Sequence, residues 1–322
     1  MAGGLAIALS GGGAKGAFQV GVLDELITNR GVEFETAVGT STGAIQAAGV
    51  AQDDIPGLLS FWTGLSGPGD IFRSRGGTGW ALITGKSSLY STGPLQKLLK
   101  QAFDDDRIRA TGKKLRMATV NITNGKLQIV GENADDIWSW VYASSAQPPF
   151  FPPWITKNAD GLKEQWVDGG VRDITPLDAA LRERPRAVLA VRAEAPLQSE
   201  PRHYDSLIGI GLRSVELLTR EVGDNDLKNV NLMNRLLTAE EHQRRELERS
   251  GLDRDTITRI LRPFHDEISR FRLVPTMVLQ PESDLYDTLE FVPSLIEENI
   301  ERGRQCVRDK WPELARFLGV EE

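Results

Sequence analysis

The apolar positions of the chain come first as a run and then at helical spacing. Residues 5–9 (LAIAL) form an unbroken apolar run that predicts a buried strand, interrupted at Ser10 and the triple glycine Gly11-Gly12-Gly13. Phe18, Val22 and Leu26 interleave with Val20, Leu23 and Ile27 at spacings of three and four, which predicts a helix. Arg30 in its last turn and Gly31 just beyond suit a helix end. Val32 to Val38 then predicts a second strand, and GTSTG (39–43) a sharp turn into a small-residue helix carrying Ala44, Ile45, Ala47 and Ala48. Two such strand–turn–helix units in succession predict an α/β fold with a largely parallel sheet.

Further along, residues 64–93 are rich in Gly and Ser and predict loops over the site, followed by the helix PLQKLLKQAF with Pro94 in its first turn. LRMATVNITNGKLQIV reads as a hairpin turning at Asn124-Gly125. SWVYASSAQPPFFPPWI (139–155) combines aromatic residues with four prolines and predicts an irregular apolar wall. QWVDGG ends a strand at a glycine pair, and RAVLAVRA is a further strand. From about 205 to 275 the chain is charged and helical, with Thr238 and Glu241 spaced as a capping box. Ile296, Ile300, Val307 and Trp311 share one face of a C-terminal helix, about 293–318, that should pack back on the core. A single domain over 1–322 is expected, with a core of about 5–200 and the segment 205–275 as an appendage.

Composition narrows the partners. A net charge of −7 argues against nucleic acid and against strongly anionic membranes, since both call for a basic face. The local clusters Arg182, Arg184, Arg186 and Lys113, Lys114, Arg116 read as solvated surface. The lone Cys306 excludes an intramolecular disulfide and offers no metal cluster. LAIAL is too short and lacks the basic flank of a signal peptide, and no run approaches the ~18 apolar residues of a membrane span, so a cytoplasmic location is expected. Asn121-Ile122-Thr123 is formally a glycosylation acceptor but falls within a predicted strand.

Three glycine-containing stretches compete for the chemistry. Gly11 to Gly16 (GGGAKG) satisfies the GxGxxG dinucleotide fingerprint, which would make the chain an oxidoreductase. That reading wants an acidic residue at the end of the second strand, and here the strand runs into Gly39-Thr40-Ser41. TGKSS (84–88) approaches a phosphate loop, yet position 80, where the motif needs glycine, is Trp80. GTSTG is a GxSxG in a strand-to-helix setting, the pattern of a nucleophile elbow, with the N-cap serine as its plainer alternative. The elbow also gives the triple glycine a use, because side-chain-free amides at a helix start can hold an oxyanion.

A nucleophilic serine needs a base. His203, His242 and His265 all follow the elbow, so chain order permits a triad, but each sits in a polar stretch that reads as surface. The rival is Asp168, at a strand end and followed by Gly169-Gly170, whose plainer alternative is a turn aspartate.

Jointly, GGGAKG, GTSTG and DGG resemble the glycine-rich loop, nucleophile elbow and aspartate motif of the patatin-like phospholipases. SLYSTGPLQKLL (88–99) and ASSAQPPFFPP (143–153) resemble family segments too, while Asp173 stands near where asparagine is common. The resemblance covers about residues 5–195 closely. It implies a three-layer α/β/α sandwich with a mixed, largely parallel sheet, related to the α/β-hydrolases, plus a C-terminal helical elaboration. It also implies a Ser-Asp dyad of Ser41 and Asp168, and an oxyanion hole from Gly11, Gly12, Gly13, Ala14 and Thr42. Gly16, Gly39, Gly43, Gly169 and Gly170 complete the motifs. No metal or organic cofactor is implied, and Lys15 is assigned to the loop or helix surface. The implied substrate is a phospholipid, lysophospholipid or other lipid acyl ester, with transient contact to a membrane surface. A lipid-binding protein of the same fold without turnover is the remaining alternative.

An aspartate is intrinsically a weaker base than histidine by ~2.6 pK units, or about 3.5 kcal/mol. Burial can offset that deficit, and the apolar stretch from Trp138 to Trp154 is the expected source of the dry wall.

Overall fold

The computed structural model describes residues 3–74, 87–196, 203–269, 271–283 and 286–321. The Thr84-Gly85-Lys86 part of the near phosphate loop lies outside them. Among the described residues there are ten strands: β1 (Gly3–Leu9), β2 (Thr36–Thr40), β3 (Arg73–Ser74), β4 (Tyr90–Ser91), β5 (Lys114–Asn121), β6 (Lys126–Gly131), β7 (Trp154–Lys157), β8 (Lys163–Asp168), β9 (Pro185–Val191) and β10 (Thr276–Leu279). Eight of them build one sheet in the order β10-β9-β1-β2-β5-β8-β7, with β6 also on β5, while β3 and β4 pair separately. The ladders from β10 to β5 are parallel and those of β6, β7 and β8 antiparallel. The sheet is therefore mixed and largely parallel, as expected.

Period-two alternation along β1 divides the core between two faces. Leu5, Ile7 and Leu9 join one apolar cluster with residues of α1 (Ala17–Leu23) and α2 (Thr42–Ala51). Ala6 and Ala8 join the other, against Leu177, Ala179 and Ala180 of the helix Leu177–Arg182. Helices thus cover both faces, giving the three-layer sandwich. The C-terminal segment returns onto α1, where the two helices approach closely because Gly21 and Gly303 carry no Cβ. A side chain on either would run into the carbonyl of Ile300 or Phe18 respectively.

Several elements differ from the pattern-based expectation. The helix after the triple glycine opens as a 3-10 turn (Gly13–Gly16), and after α1 widens into a π-helical turn (Asp24–Asn29) before Gly31 at φ 66. The second strand begins at Thr36 and not Val32. The hairpin closes with Asn121 opposite Lys126, a four-residue loop in which Gly125 takes the φ of 72. The 139–155 stretch is not irregular throughout: its first half belongs to a helix, Ile137–Ser145, and only beyond it do the prolines turn the chain. The capping box does not start a helix. Thr238 and Glu241 lie inside a 43-residue helix, Leu207–Arg249, where the Thr238 hydroxyl donates to the Asn234 carbonyl one turn back at 2.8 Å. That helix is capped by Ser206, whose Oγ accepts from the Gly209 amide at 3.0 Å. The C-terminal helix is two helices, Pro293–Asp309 and Trp311–Leu318, so Trp311 opens the second. Among the described residues no helix is long and apolar enough to cross a membrane.

Candidate active site

Among the described residues the further α-helices are α3 (Ile55–Thr63), α4 (Gly93–Ala102), α5 (Asp105–Ala110), α6 (Ile137–Ser145), α7 (Leu177–Arg182), α8 (Leu207–Arg249), α9 (Arg254–Ile268), α10 (Pro293–Asp309) and α11 (Trp311–Leu318). Ser41 links β2 to α2 at φ 57, ψ −127, a backbone conformation that costs a non-glycine residue of order 1–3 kcal/mol. The turn is tight enough to forbid side chains on both flanks. A Cβ on Gly39 would collide with the Gly43 carbonyl, and one on Gly43 with the Leu9 carbonyl. α6 holds the strained residue: the Ser41 amide donates to Ser144 Oγ at 3.0 Å, and Ser145 Oγ donates to the Ser41 carbonyl at 3.1 Å. Ser144 passes the load to the sheet by donating to the Ala118 carbonyl at 2.6 Å. These two serines went unassigned in the sequence, where the only signal was their place within ASSAQPPFFPP.

β5 brings Asp168 to Ser41. Its one edge is occupied by β6 over Arg116–Asn121, so β2 and β8 share the other and meet end to end. Thr40 pairs with Ala118 and Asp168 with the next residue, Thr119. Gly169 completes the approach, since a Cβ there would strike the Ala118 carbonyl. Asp168 is 3% exposed. Its Oδ1 accepts the Gly170 amide at 2.7 Å, while Oδ2 is buried without a full hydrogen bond. Burial pushes its pKa up from 3.8 to about 7, against the opposing pull of the Ser41 hydroxyl beside it and the Gly170 amide.

The glycine loop narrows the set of amides expected to hold an oxyanion. The Gly11 amide donates to the Ile174 carbonyl at 3.0 Å, and the Ala14 amide to the Thr288 carbonyl at 2.8 Å. Both are engaged, so Gly12, Gly13 and Thr42 are the members of the expected set whose amides stay candidates for that role. Gly13, at φ 56, packs directly on Thr288. Gly16 lets α1 approach α2, since a Cβ there would meet Thr42 Oγ1 at 2.5 Å. Lys15 is not on the surface. It is 3% exposed, and its Nζ pairs with Glu216 Oε1 of α8 at 2.8 Å and with Glu194 Oε1 at 3.7 Å. From the other side Tyr286 Oη donates to the Ala14 carbonyl at 3.0 Å and Asn299 Nδ2 to the Lys15 carbonyl at 3.2 Å. A loop with almost no side chains is thus positioned by groups some two to three hundred residues away in the chain, which no local pattern could announce.

The cleft over Ser41 and Asp168 is lined by Gly11, Gly12, Gln147, Ile174 and Thr288, with Glu194 and, from α8, Glu216 and Thr219. An apolar slot of about 40 Å³ opens beside Ser41 between Ile45, Trp62, Leu65, Leu95, Phe151 and Phe291. The dry wall therefore comes mostly from α2, α3 and α4 together with Phe151 and Phe291, and from Trp138 and Trp154 only at a remove. All three histidines are exposed and outside the cleft, His265 pairing with Glu240 at 2.8 Å where α9 lies on α8. Asp173 lies against Asp226 of α8, and burial together with the neighbouring carboxylates pushes both pKa values up. Among the described residues no group of three His, Cys, Asp or Glu side chains is placed to hold a metal ion.

An elbow serine beside a buried aspartate, on a mixed α/β sheet with a glycine loop overhead, defines a patatin-type architecture. The chain belongs to the patatin-like phospholipase family, whose model matches residues 7–181. It is 26% identical to lysophospholipase NTE1 of Yarrowia lipolytica over 64% of this chain, and it spans only 14% of that protein. It is 30% identical to the uncharacterized protein YqhO of Bacillus subtilis, covering 59% of this chain and 71% of the relative. A solved structure, VipD from Legionella pneumophila, aligns over 97% of this chain and 67% of its own at 14% identity and a TM-score of 0.42.

Proposed function

We propose that the protein is a serine hydrolase of lipid acyl esters working through Ser41 and Asp168. Family membership supports a lipid acyl hydrolase in general terms. The observation that carries the dyad is the buried Asp168 carboxylate beside the hydroxyl of a serine held in a strained elbow. A pKa near 7 removes the deficit against histidine, since an unperturbed imidazole titrates at about 6.5. At neutral pH a large fraction of Asp168 is ionised and able to accept a proton, and its conjugate acid is strong enough to return it.

In this scheme Ser41 Oγ attacks the acyl carbon as Asp168 takes its proton. The negative charge moves to the carbonyl oxygen, where the amides of Gly12, Gly13 and Thr42 receive it. Asp168 then protonates the departing alkoxide, and water releases the acyl group by the same path in reverse order. The apolar lining of the slot suits the carbons of the acyl chain nearest the ester. Lysophospholipid is one candidate substrate, by analogy with the NTE1 relatives.

The dinucleotide reading has less support, because β2 ends at Thr40 with no carboxylate there and the space around Gly13 is filled by Thr288. The two lipid readings separate with a fluorophosphonate probe and a panel of phospholipid, lysophospholipid and neutral lipid esters. Labelling and hydrolysis that vanish in Ser41→Ala and Asp168→Asn support the dyad. Hydrolysis retained in Asp168→Asn but lost in the triple His→Ala variant overturns it, and lipid binding without labelling or turnover by the wild type would favour the non-catalytic alternative.

A further inference from the structure

Up-strand from Asp168 the same sheet carries a groove of about 480 Å³ that shares no lining residue with the Ser41 cleft. The strand register decides which side chains meet in it. Asn121 of β5 lies opposite Lys126 of β6 and opposite Trp166 of β8, so three adjacent strands present these side chains on one face. Gln128 and Glu164, each two residues along its strand, fall on that face as well. Trp140 of α6 closes one side, its ring 5.2 Å from that of Trp166 with the planes at 77°.

The polar groups in the groove are unspent. Asn121 is 2% exposed and its Oδ1 accepts the Thr123 amide at 3.0 Å, yet its Nδ2 donates to nothing among the described residues while facing the groove. Lys126, Gln128 and Glu164 likewise make no side-chain hydrogen bond or ion pair there. These groups meet solvent and not one another, so a ligand can replace water on them without breaking an internal bond. An ammonium, a carboxylate and carboxamides stand around two indoles without cancelling one another.

We propose that this groove binds a saccharide. The ligand must donate to Glu164 and accept from Asn121 Nδ2 and Lys126 Nζ, and it must do so with uncharged groups, because an anion meets Glu164 and a cation meets Lys126. Ring hydroxyls meet both demands at once. The C–H face of a pyranose supplies the flat apolar surface that a tryptophan ring accepts. The volume lies within the range of about 300–1,000 Å³ typical of small-molecule sites. A zwitterion such as phosphocholine would satisfy the two charges and leave the carboxamides unserved. The proposal does not depend on Ser41 chemistry.

Saturation-transfer NMR and tryptophan fluorescence on the full chain test it, with methyl glucoside, methyl galactoside, N-acetylglucosamine and maltose in one arm and phosphocholine in another. At least one sugar should bind saturably, with affinity reduced about tenfold or more in Trp140→Ala, reduced measurably in Gln128→Ala, and unchanged in Ser41→Ala. Gln128 is exposed, so its variant reports even if Trp140→Ala fails to fold. The proposal is overturned if no sugar saturates below about 10 mM, if phosphocholine binds in place of every sugar, or if binding survives both groove variants.

Discussion

The half of the chain that matches the family and the long helix that follows it meet at one cleft but are built on opposite terms. Between residues 7 and 181, the candidate site residues sit at strand ends among glycines such as Gly39, Gly43 and Gly169 that tolerate no Cβ. α8 is 43 residues of mixed charge and exposes Leu207, Ile210, Leu217 and Leu218 on one side. On its other side it supplies Glu216 and Thr219 to the cleft. One region fixes Ser41 and Asp168 by steric exclusion. The other brings ion-paired carboxylates to the cleft and packs Leu227 and Val230 against the core on the Ala6/Ala8 side of the sheet.

The comparison breaks first if the core residues are dispensable. Ser41→Ala and Asp168→Asn should each lower kcat for ester hydrolysis by about 10⁴-fold or more, whereas a triple His203/His242/His265→Ala variant stays within about twofold of wild type. Gly43→Ala should destabilise by more than about 4 kcal/mol in urea unfolding, because its methyl group would meet the Leu9 carbonyl, which is backbone and cannot yield.

The buried carboxylate gives a prediction with opposite signs for activity and stability. The pKa of Asp168 rises from 3.8 in the unfolded chain to about 7 in the fold, so between these values the native state binds more protons. Stability from this group is full below pH 3.8 and is lost as pH rises through about 7. Asp168→Asn should therefore stabilise the protein by about 4 kcal/mol at pH 8 and by little near pH 4, as read by urea midpoints. Wild-type kcat/KM should rise with pH to a plateau above about 7. An acidic limb at the ordinary aspartate value would remove burial from the account.

Glu216 sharpens the contrast from the other side. Burial alone would raise its pKa, but Lys15 and Arg213 outweigh that and bring it down from 4.5 to about 2. Its contribution is present above pH 4.5 and is lost as pH falls toward 2. Glu216→Gln should cost about 2 kcal/mol at neutral pH, less than a fully buried pair because Glu194 still faces Lys15. The smallest effect belongs to the outer face of α8: Leu218, 70% exposed, should tolerate serine within about 0.5 kcal/mol in thermal unfolding.

Much of the core was legible in the residues themselves. LAIAL and the runs ending at Asp168 and Val191 became strands, and GTSTG became a positive-φ turn at Ser41, because local sterics decide such features within a few residues. The expected capping box failed because a continuous helix satisfied those amides internally once α9 and the core packed along it. The apolar wall was misplaced for a related reason. Prolines mark where a helix stops, and they say nothing of Ile137–Ser145 ahead of them.

The sequence by itself determined the sharp turn at Ser41, the glycine loop, the aspartate at its strand end and an α/β fold with a largely parallel sheet. Only the tertiary structure decided that β2 and β8 abut along one edge of β5, that the Gly11 and Ala14 amides are already engaged, and that Lys15 is buried against α8. Turns and strand ends follow from clashes and hydrogen bonds between near neighbours in the chain. Burial, pairing and the pKa of a carboxylate are sums over groups that only the folded chain brings within a few ångströms of one another.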